Sequence, residues 1–281
     1  MYTDRKYGRL ENVAIITKIT QQKRDLERFN IFLDEKYAFS VHETVFVKFG
    51  LTKGMTLEDW SISEMIYEEE INKAFNRALH YLGFRMRSEF EVKTKLLELE
   101  YGEAVVLEAI VKLRRLGFLN DEKFSEALLE TRKRTSKSGP RKIQEELQKK
   151  GIKKELLENV IESYSEEEQI SIAKEVAEKE ASKNRSLSPR QTEQRIQNLL
   201  QHRGYSFSII KEALADIEFG IEEDEWEIVT SSIGEKAWRR YTSRFSGRDL
   251  HNRVKQAMYQ KGIPFERIDQ FIEKKENEDD N

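Results

Sequence analysis

The chain has 281 residues, with 49 lysines and arginines against 52 aspartates and glutamates, so its net charge of −3 shows no bulk attraction to a polyanion. The absence of cysteine excludes a disulfide framework, a zinc–thiolate site and thiol catalysis. Only 13 glycines and 3 prolines occur in a chain that is 38% apolar and 36% charged, which argues against a sandwich or barrel and for amphipathic helices around thin, separate cores.

The opening segment Met1–Lys6 carries an acid, and the apolar run Val13–Ile16 is too short for a secretory signal. No stretch approaches the ~20 apolar residues of a membrane span. The reading is a soluble, cytoplasmic protein with no membrane partner.

Residues 1–60 read as a small antiparallel β-rich module. Val13–Thr20 is rich in β-branched residues, Gln21–Glu27 is polar, and Phe29–Leu33 and Tyr37–Val41 flank Asp34-Glu35-Lys36. This pattern predicts a three-stranded meander with a tight second turn. Val45–Phe49 fits either a fourth strand or a short helix capped by Ser40 and Glu43, the helix being slightly favoured. Three strands need a cover, so the module is expected to pack on the helix that follows.

From Thr56 the pattern is helical and repeats. In residues 120–164, Asp121-Glu122 opens a helix that Arg132-Lys133-Arg134 closes; Ser136–Gly139 turns, Pro140 starts a second helix, Gly151 stops it, and Leu156–Ile161 line a third. Residues 165–219 repeat this from Glu166-Glu167-Glu168 through Ser188-Pro189-Arg190 and Gly204. Residues 220–275 do so from Glu222–Glu225 through Ser246-Gly247-Arg248 and Gly262. Residues 61–119 are a looser copy, with Ser88 as N-cap and a stop at Gly102; residues 276–281 read as an acidic, disordered tail. The fold class is mainly α: tandem three-helix repeats in an elongated, curved array, with a small N-terminal β-rich module.

Nothing in the sequence signals catalysis. His42, His80, His202 and His251 are scattered without ligand spacing, and no phosphate loop, dinucleotide fingerprint or nucleophile elbow occurs. No catalytic residue, metal ligand or cofactor is assigned, and the chain is read as not an enzyme.

Charge position is the informative feature. Acids open the first helix of each repeat and bases close it, which complements the helix dipole, but the basic excess runs on through the turn. Between Arg132 and Lys142 stand Arg132, Lys133, Arg134, Lys137, Arg141 and Lys142, with no acid among them. A first helix of roughly 25–30 Å spans several Debye lengths of about 8 Å, so its two ends act separately. Each turn also feeds a helix N-terminus that favours anions. The candidate binding residues are Arg85, Arg87, Arg132, Lys133, Arg134, Lys137, Arg141, Lys142, Arg185, Arg190, Arg239, Arg240, Arg244 and Arg248. Tyr205, Phe207, Trp238, Tyr241 and Phe245 lie near such turns as stacking candidates, although helical spacing assigns most of them to the core.

Arg85-Met86-Arg87-Ser88-Glu89-Phe90-Glu91, Leu116–Phe124, Ser138–Ile152 with its Gly-Pro-Arg run, and Leu200–Ser206 together resemble the RecX family of recombinase regulators over residues 74–217. The resemblance implies a cytoplasmic modulator that binds the RecA protein and its filament on single-stranded DNA; the chain is read separately as a monomer without a cofactor. It would lie along the filament groove and inhibit strand exchange and ATP hydrolysis in recombination, DNA repair and the SOS response. DNA itself is a further candidate partner. The β-rich front module and the fourth repeat stand as additions to a three-repeat core, and Asn120 replaces a frequent aspartate. On this reading the basic turns meet DNA phosphates or an acidic filament surface, and the acidic edges meet basic loops of RecA. The alternatives are a DNA-binding helical-repeat protein independent of RecA, against which stands the lack of a markedly basic helix face, and a protein-only scaffold.

Overall fold

β-branched and aromatic residues alternating with polar ones give Val13–Gln21 (β1), Arg28–Leu33 (β2) and Lys36–His42 (β3), the expected antiparallel meander. The computed structural model describes residues 13–183 and 187–279; the opening hexapeptide, Arg185 and the last two residues of the tail lie outside them. Asp34 and Glu35 take φ of 48° and 72° in the β2–β3 turn, the twist that a tight hairpin requires. Strand β1 holds them there: Asp34 Oδ1 accepts from the Ile15 amide at 3.2 Å, and the Glu35 amide donates to Thr17 Oγ1 at 2.9 Å.

Two local features differ from the sequence reading. Thr56–Glu58 (β4) pairs antiparallel with β1, so the sheet has four strands in the order β3-β2-β1-β4. A strand of three residues offers one inward side chain, here Leu57, too little for alternation to show. Glu43–Lys48 is the favoured helix (α1), but its cap is His42, whose Nδ1 accepts from the Thr44 amide at 3.3 Å, because Ser40 is inside β3.

Ile16, Ile31 and Val41 from the sheet, with Val45, Leu51, Leu57 and Met65, form the buried core of the module. Met65 belongs to Asp59–Leu82 (α2), a helix of 24 residues that covers the sheet with its first half. The buried Glu69 of α2 accepts from the His42 amide at 2.8 Å and pairs with Arg28 at 2.7 Å, fastening β2 and β3 to the helix. Farther along α2, Ile71, Ala74, Phe75 and Ala78 enter a second core with Glu89–Glu98 (α3) and Glu103–Arg115 (α4).

Three more helical triplets follow: Asp121–Thr135 (α5), Pro140–Lys149 (α6) and Lys154–Glu162 (α7); Glu166–Ala181 (α8), Pro189–His202 (α9) and Phe207–Leu214 (α10); Glu223–Thr242 (α11), Gly247–Gln260 (α12) and Phe265–Asp279 (α13). Short helices of this kind are stable through their packed apolar stripes rather than through propensity. By compactness the chain divides into Met1–Phe124 with Lys150–Ile152, and Ser125–Lys149 with Lys153–Asn281.

Two expectations about ends need correcting. Gly102 does not stop α3: it has φ of −62° and precedes α4, while Glu100, at φ of 64°, makes the left-handed turn. The tail is helical through Asp279 because α13 is anchored there. Lys275 pairs with Glu235 at 2.6 Å and with Glu278 at 2.7 Å, and Glu276 pairs with His251 at 2.9 Å.

Removing the Glu69 carboxylate strands the His42 amide and leaves the Arg28 guanidinium with Ser40 in place of an ion-pair partner. Glu69→Ala should cost about 3–5 kcal/mol in urea unfolding of the full chain, while Glu70→Ala, which breaks an exposed pair with Lys73, should cost under about 1 kcal/mol. Equal costs would contradict this placement of Glu69.

Candidate functional site

The first four amides of a helix have no intrahelical acceptor. At the turn from α5 to α6 a neighbouring backbone supplies acceptors: the Gly139 amide donates to the Arg203 carbonyl at 2.7 Å and the Arg141 amide to the Gly204 carbonyl at 3.2 Å. The approach is close enough to demand glycine on both sides. A Cβ on Gly139 would lie 2.6 Å from Tyr205 N, and one on Gly204, whose φ is +92°, would lie 2.5 Å from Lys142 N. Side chains seal the corner. Arg203 donates to the Ser136 carbonyl at 2.8 Å, the Tyr205 hydroxyl donates to the Lys137 carbonyl at 3.1 Å, and the Tyr164 and Tyr205 hydroxyls are 3.3 Å apart. Burial pushes both tyrosine hydroxyls above their ordinary pKa.

The same joint recurs. Ser88 at the start of α3 donates through Oγ to the Lys150 carbonyl at 2.7 Å, and a Cβ on Gly151 would meet Phe90 Cβ at 2.4 Å. Ser188 at the start of α9 donates to the Lys261 carbonyl, and a Cβ on Gly262 would meet Arg190 Cβ at 2.7 Å. Ser88 and Ser188 each complete a capping box, with Glu91 and Gln191. The expectation of anion-ready N-termini is therefore corrected at α6, where the Gly139 and Arg141 amides are already taken by carbonyls.

The candidate cations divide by what they touch. Arg85 forks onto Glu91 at 2.8 and 3.3 Å, and Arg87 lies 3.5 Å over the Tyr81 ring while donating to the Tyr81 carbonyl. Arg132 forks onto Glu146 at 2.6 and 2.7 Å. Lys133 is only 7% exposed and pairs with Glu130 at 2.7 Å and Glu168 at 2.6 Å, its ammonium 4.9 Å over the Tyr164 ring. Burial opposes that charge, but its hydrogen bonds to Glu130 and Glu168 hold the pKa above the usual lysine value. Lys137 pairs with Glu175 at 2.7 Å. These five are held by partners within the chain, four by carboxylates and Arg87 by the Tyr81 carbonyl and ring.

The others remain available. Arg134, Arg141, Lys142, Arg190, Arg239, Arg244 and Arg248 are exposed and have no ion pair among the described residues; Arg240 is exposed, 5.5 Å over the Tyr241 ring. All eight belong to the second compact unit. Of the aromatic candidates, Tyr205 is buried, Trp238, Tyr241 and Phe245 pack on the core of α11–α13, and Phe207 is 71% exposed. Among the described residues no group of three or more His, Asp and Glu is placed to hold a metal ion.

Comparison with known proteins decides the family. Models described as the regulatory protein RecX N-terminal domain and the first, second and third RecX three-helix domains match residues 14–58, 74–113, 120–161 and 166–214. Regulatory protein RecX of Bacillus subtilis is 40% identical over 265 residues, covering 94% of this chain and all of the relative. That of Halalkalibacterium halodurans is 38% identical, covering 92% and 99%. The chain belongs to the RecX family. A solved regulatory protein RecX superposes with a TM-score of 0.64 at 34% identity, covering 73% of this chain and all of the other; RecX from Lactobacillus salivarius gives 0.50 at 32%, covering 53% and 97%.

Two departures expected from RecX proteins are corrected by these matches. The front module is the RecX N-terminal domain, not an addition. Alignments over 92–94% of the chain leave too little unmatched for the fourth repeat to be missing from those relatives. The motif runs that carry the RecX resemblance hold the joints: Ser88 and Phe90, Gly139 and Lys142, Gly151, and Arg203–Tyr205. Arg203 was absent from the sequence-derived candidates because its role depends on a carbonyl 67 positions away.

Two measurements check the joints. Replacing glycine by alanine should cost most at Gly204, which combines positive φ with backbone contact, about 1–3 kcal/mol; less at Gly247, with φ of +52° and open space; and least at Gly220, which meets nothing within 4 Å. A flat series would contradict the close approach. Burial would raise the Glu91 carboxyl, but hydrogen bonds from Arg85, Lys150 and the Ser88 amide bring it from 4.5 to about 2. The stability it contributes is present above about pH 4.5 and is lost as pH falls through about 2. Glu91→Gln should therefore be less stable than the parent at neutral pH, with the gap closing across that window; a pH-independent gap would contradict it.

Proposed function

We propose that the chain binds the RecA protein and its filament on single-stranded DNA, and restrains strand exchange and ATP hydrolysis there, in recombination and DNA repair. It acts in the cytoplasm, by binding rather than by catalysis. Membership of the RecX family supports the partner. The observation that supports the mode of binding is the set of unpaired cations at one corner, Arg134, Arg141 and Lys142, beside the Gly139–Gly204 joint.

Two hydrogen bonds between distant segments of the chain fix the backbone from which Arg141 and Lys142 emerge, so that backbone has little ordering left to lose on meeting a polyanion or an acidic protein surface. Arg132, Lys133 and Lys137 hold the corner together and leave the outer cations to face the partner. Released counterions make such binding salt-dependent.

The test is retention by RecA with and without single-stranded DNA across a salt series, together with RecA ATP turnover. The variant Arg134→Ala, Arg141→Ala, Lys142→Ala should bind the filament more weakly, flatten the log–log salt slope by about 2, and lose its effect on ATP turnover. Unchanged affinity and slope would contradict this mode. Retention by naked DNA that RecA does not improve would favour a DNA-binding protein independent of RecA.

A further inference from the structure

Two clefts adjoin between α9, α11 and α12, both within the second compact unit. One, of about 450 Å³, is lined by Arg190, Arg195, Lys261 and the amides of Gln194, Asn198 and Gln260. The other, of about 340 Å³, is lined by Lys236, Arg240, Lys261, Ser232 and Tyr241. They share Leu187, Gln191 and Lys261, so Lys261 stands between them. The Ser188–Lys261 joint fixes this arrangement, because it seats the first turn of α9 on the end of α12 and brings Arg190 against Gly262.

No carboxylate lines either cleft among the described residues. In a chain with more acids than bases this is a sorted surface. Along α11, Lys236 and Arg240 line these clefts, while Glu223, Glu227 and Glu235 line a separate cleft of about 750 Å³ in which Arg267, Lys274 and Lys275 of α13 face them. Arg195 is partly neutralised by Glu180 at 3.2 Å. Arg190, Lys236 and Lys261 are exposed and have no ion pair among the described residues. Neutral amides and a hydroxyl supply the remaining polar groups, and Arg240 lies over the Tyr241 ring at 5.5 Å.

We propose that this twin cleft seats a stretch of single-stranded DNA, with Arg190, Lys236, Arg240 and Lys261 on successive phosphates. The inference rests on the reading above for expecting a DNA-bearing partner, but it assigns the strand to a surface distinct from the Arg134–Lys142 corner. Clefts of about 450 and 340 Å³ can follow one sugar–phosphate backbone, whereas a duplex, whose major groove alone is about 12 Å wide, is too broad to enter them. Gln, Asn and Ser side chains contact sugar and phosphate without reading sequence, which suits a seat that holds any strand.

The experiment is fluorescence anisotropy of a labelled oligothymidylate against the full chain without RecA, over a salt series, with a duplex of the same length in parallel. The variant Arg190→Ala, Lys236→Ala, Lys261→Ala keeps every backbone contact of the joint. It should lower affinity for the single strand at least about tenfold and reduce the salt slope by about 2, since each phosphate contact on a single strand contributes about 0.7. A control with Lys93→Ala, Lys123→Ala and Lys211→Ala, exposed cations outside both clefts, should bind like the parent. Thermal unfolding of both variants checks that the fold is intact. The inference is overturned if the parent does not bind the oligonucleotide, if the cleft variant keeps the parent's slope, if the control loses as much, or if the duplex binds as tightly. Failure here with the RecA retention assay intact leaves docking through the corner standing; success here with that assay failing leaves a strand seat without a recombinase.

Discussion

A helix that begins at a sharp turn leaves amide donors with nothing inside the helix to accept them. Here the problem is solved between repeats: the start of a second helix is set against the glycine turn that ends another second helix, whose last carbonyls are equally without partners. Amide and carbonyl shortages cancel at Gly139 with Arg203, while at Ser88 with Lys150 and Ser188 with Lys261 the serine hydroxyl is the donor and capping boxes serve the helix start. Gly151, Gly204 and Gly262 carry positive φ and have no room for a Cβ, the space being taken by the Phe90 side chain, the Lys142 backbone and the Arg190 side chain respectively. Gly247 has the positive φ without the contact, and Glu100 replaces glycine where space allows a side chain.

The joint decides which charges remain for function. A turn crowded with arginine and lysine would repel itself unless some were neutralised, and Glu146, Glu168 and Glu175 take that part for Arg132, Lys133 and Lys137. The residual cations therefore differ in kind from the paired ones, although they stand beside them in sequence. A net charge of −3 is compatible with locally basic surfaces because acids are spent in ion pairs, at the corner and between α11 and α13, where Glu223 meets Arg267 and Glu235 meets Lys275.

Much of this was legible in the chain itself. The capping serines, Pro140 and Pro189, and the alternation of acidic starts with basic ends located the helices, because those are local effects of orphan amides and dipoles. The edge strand β4 was not legible, since three residues carry no period. Nor was the burial of Lys133, whose partner Glu168 stands in the first turn of another helix, 35 positions later in the sequence. Gly102 misled for a related reason: glycine marks a turn, but φ decides which side of the turn it serves, and Gly102 sits two residues past the left-handed Glu100. Lys236 escaped notice because it lies within α11 rather than at its end, so a rule built on helix termini passes over it.

The central claim is that carbonyls of the Gly204 turn take up the first amides of α6, and amide hydrogen exchange under native conditions reads this directly. The Gly139 and Arg141 amides should exchange as slowly as interior amides of α6, because both donate to the Arg203–Gly204 turn. Exchange at the rate of free first-turn amides, with the helix interior still protected, would contradict the account.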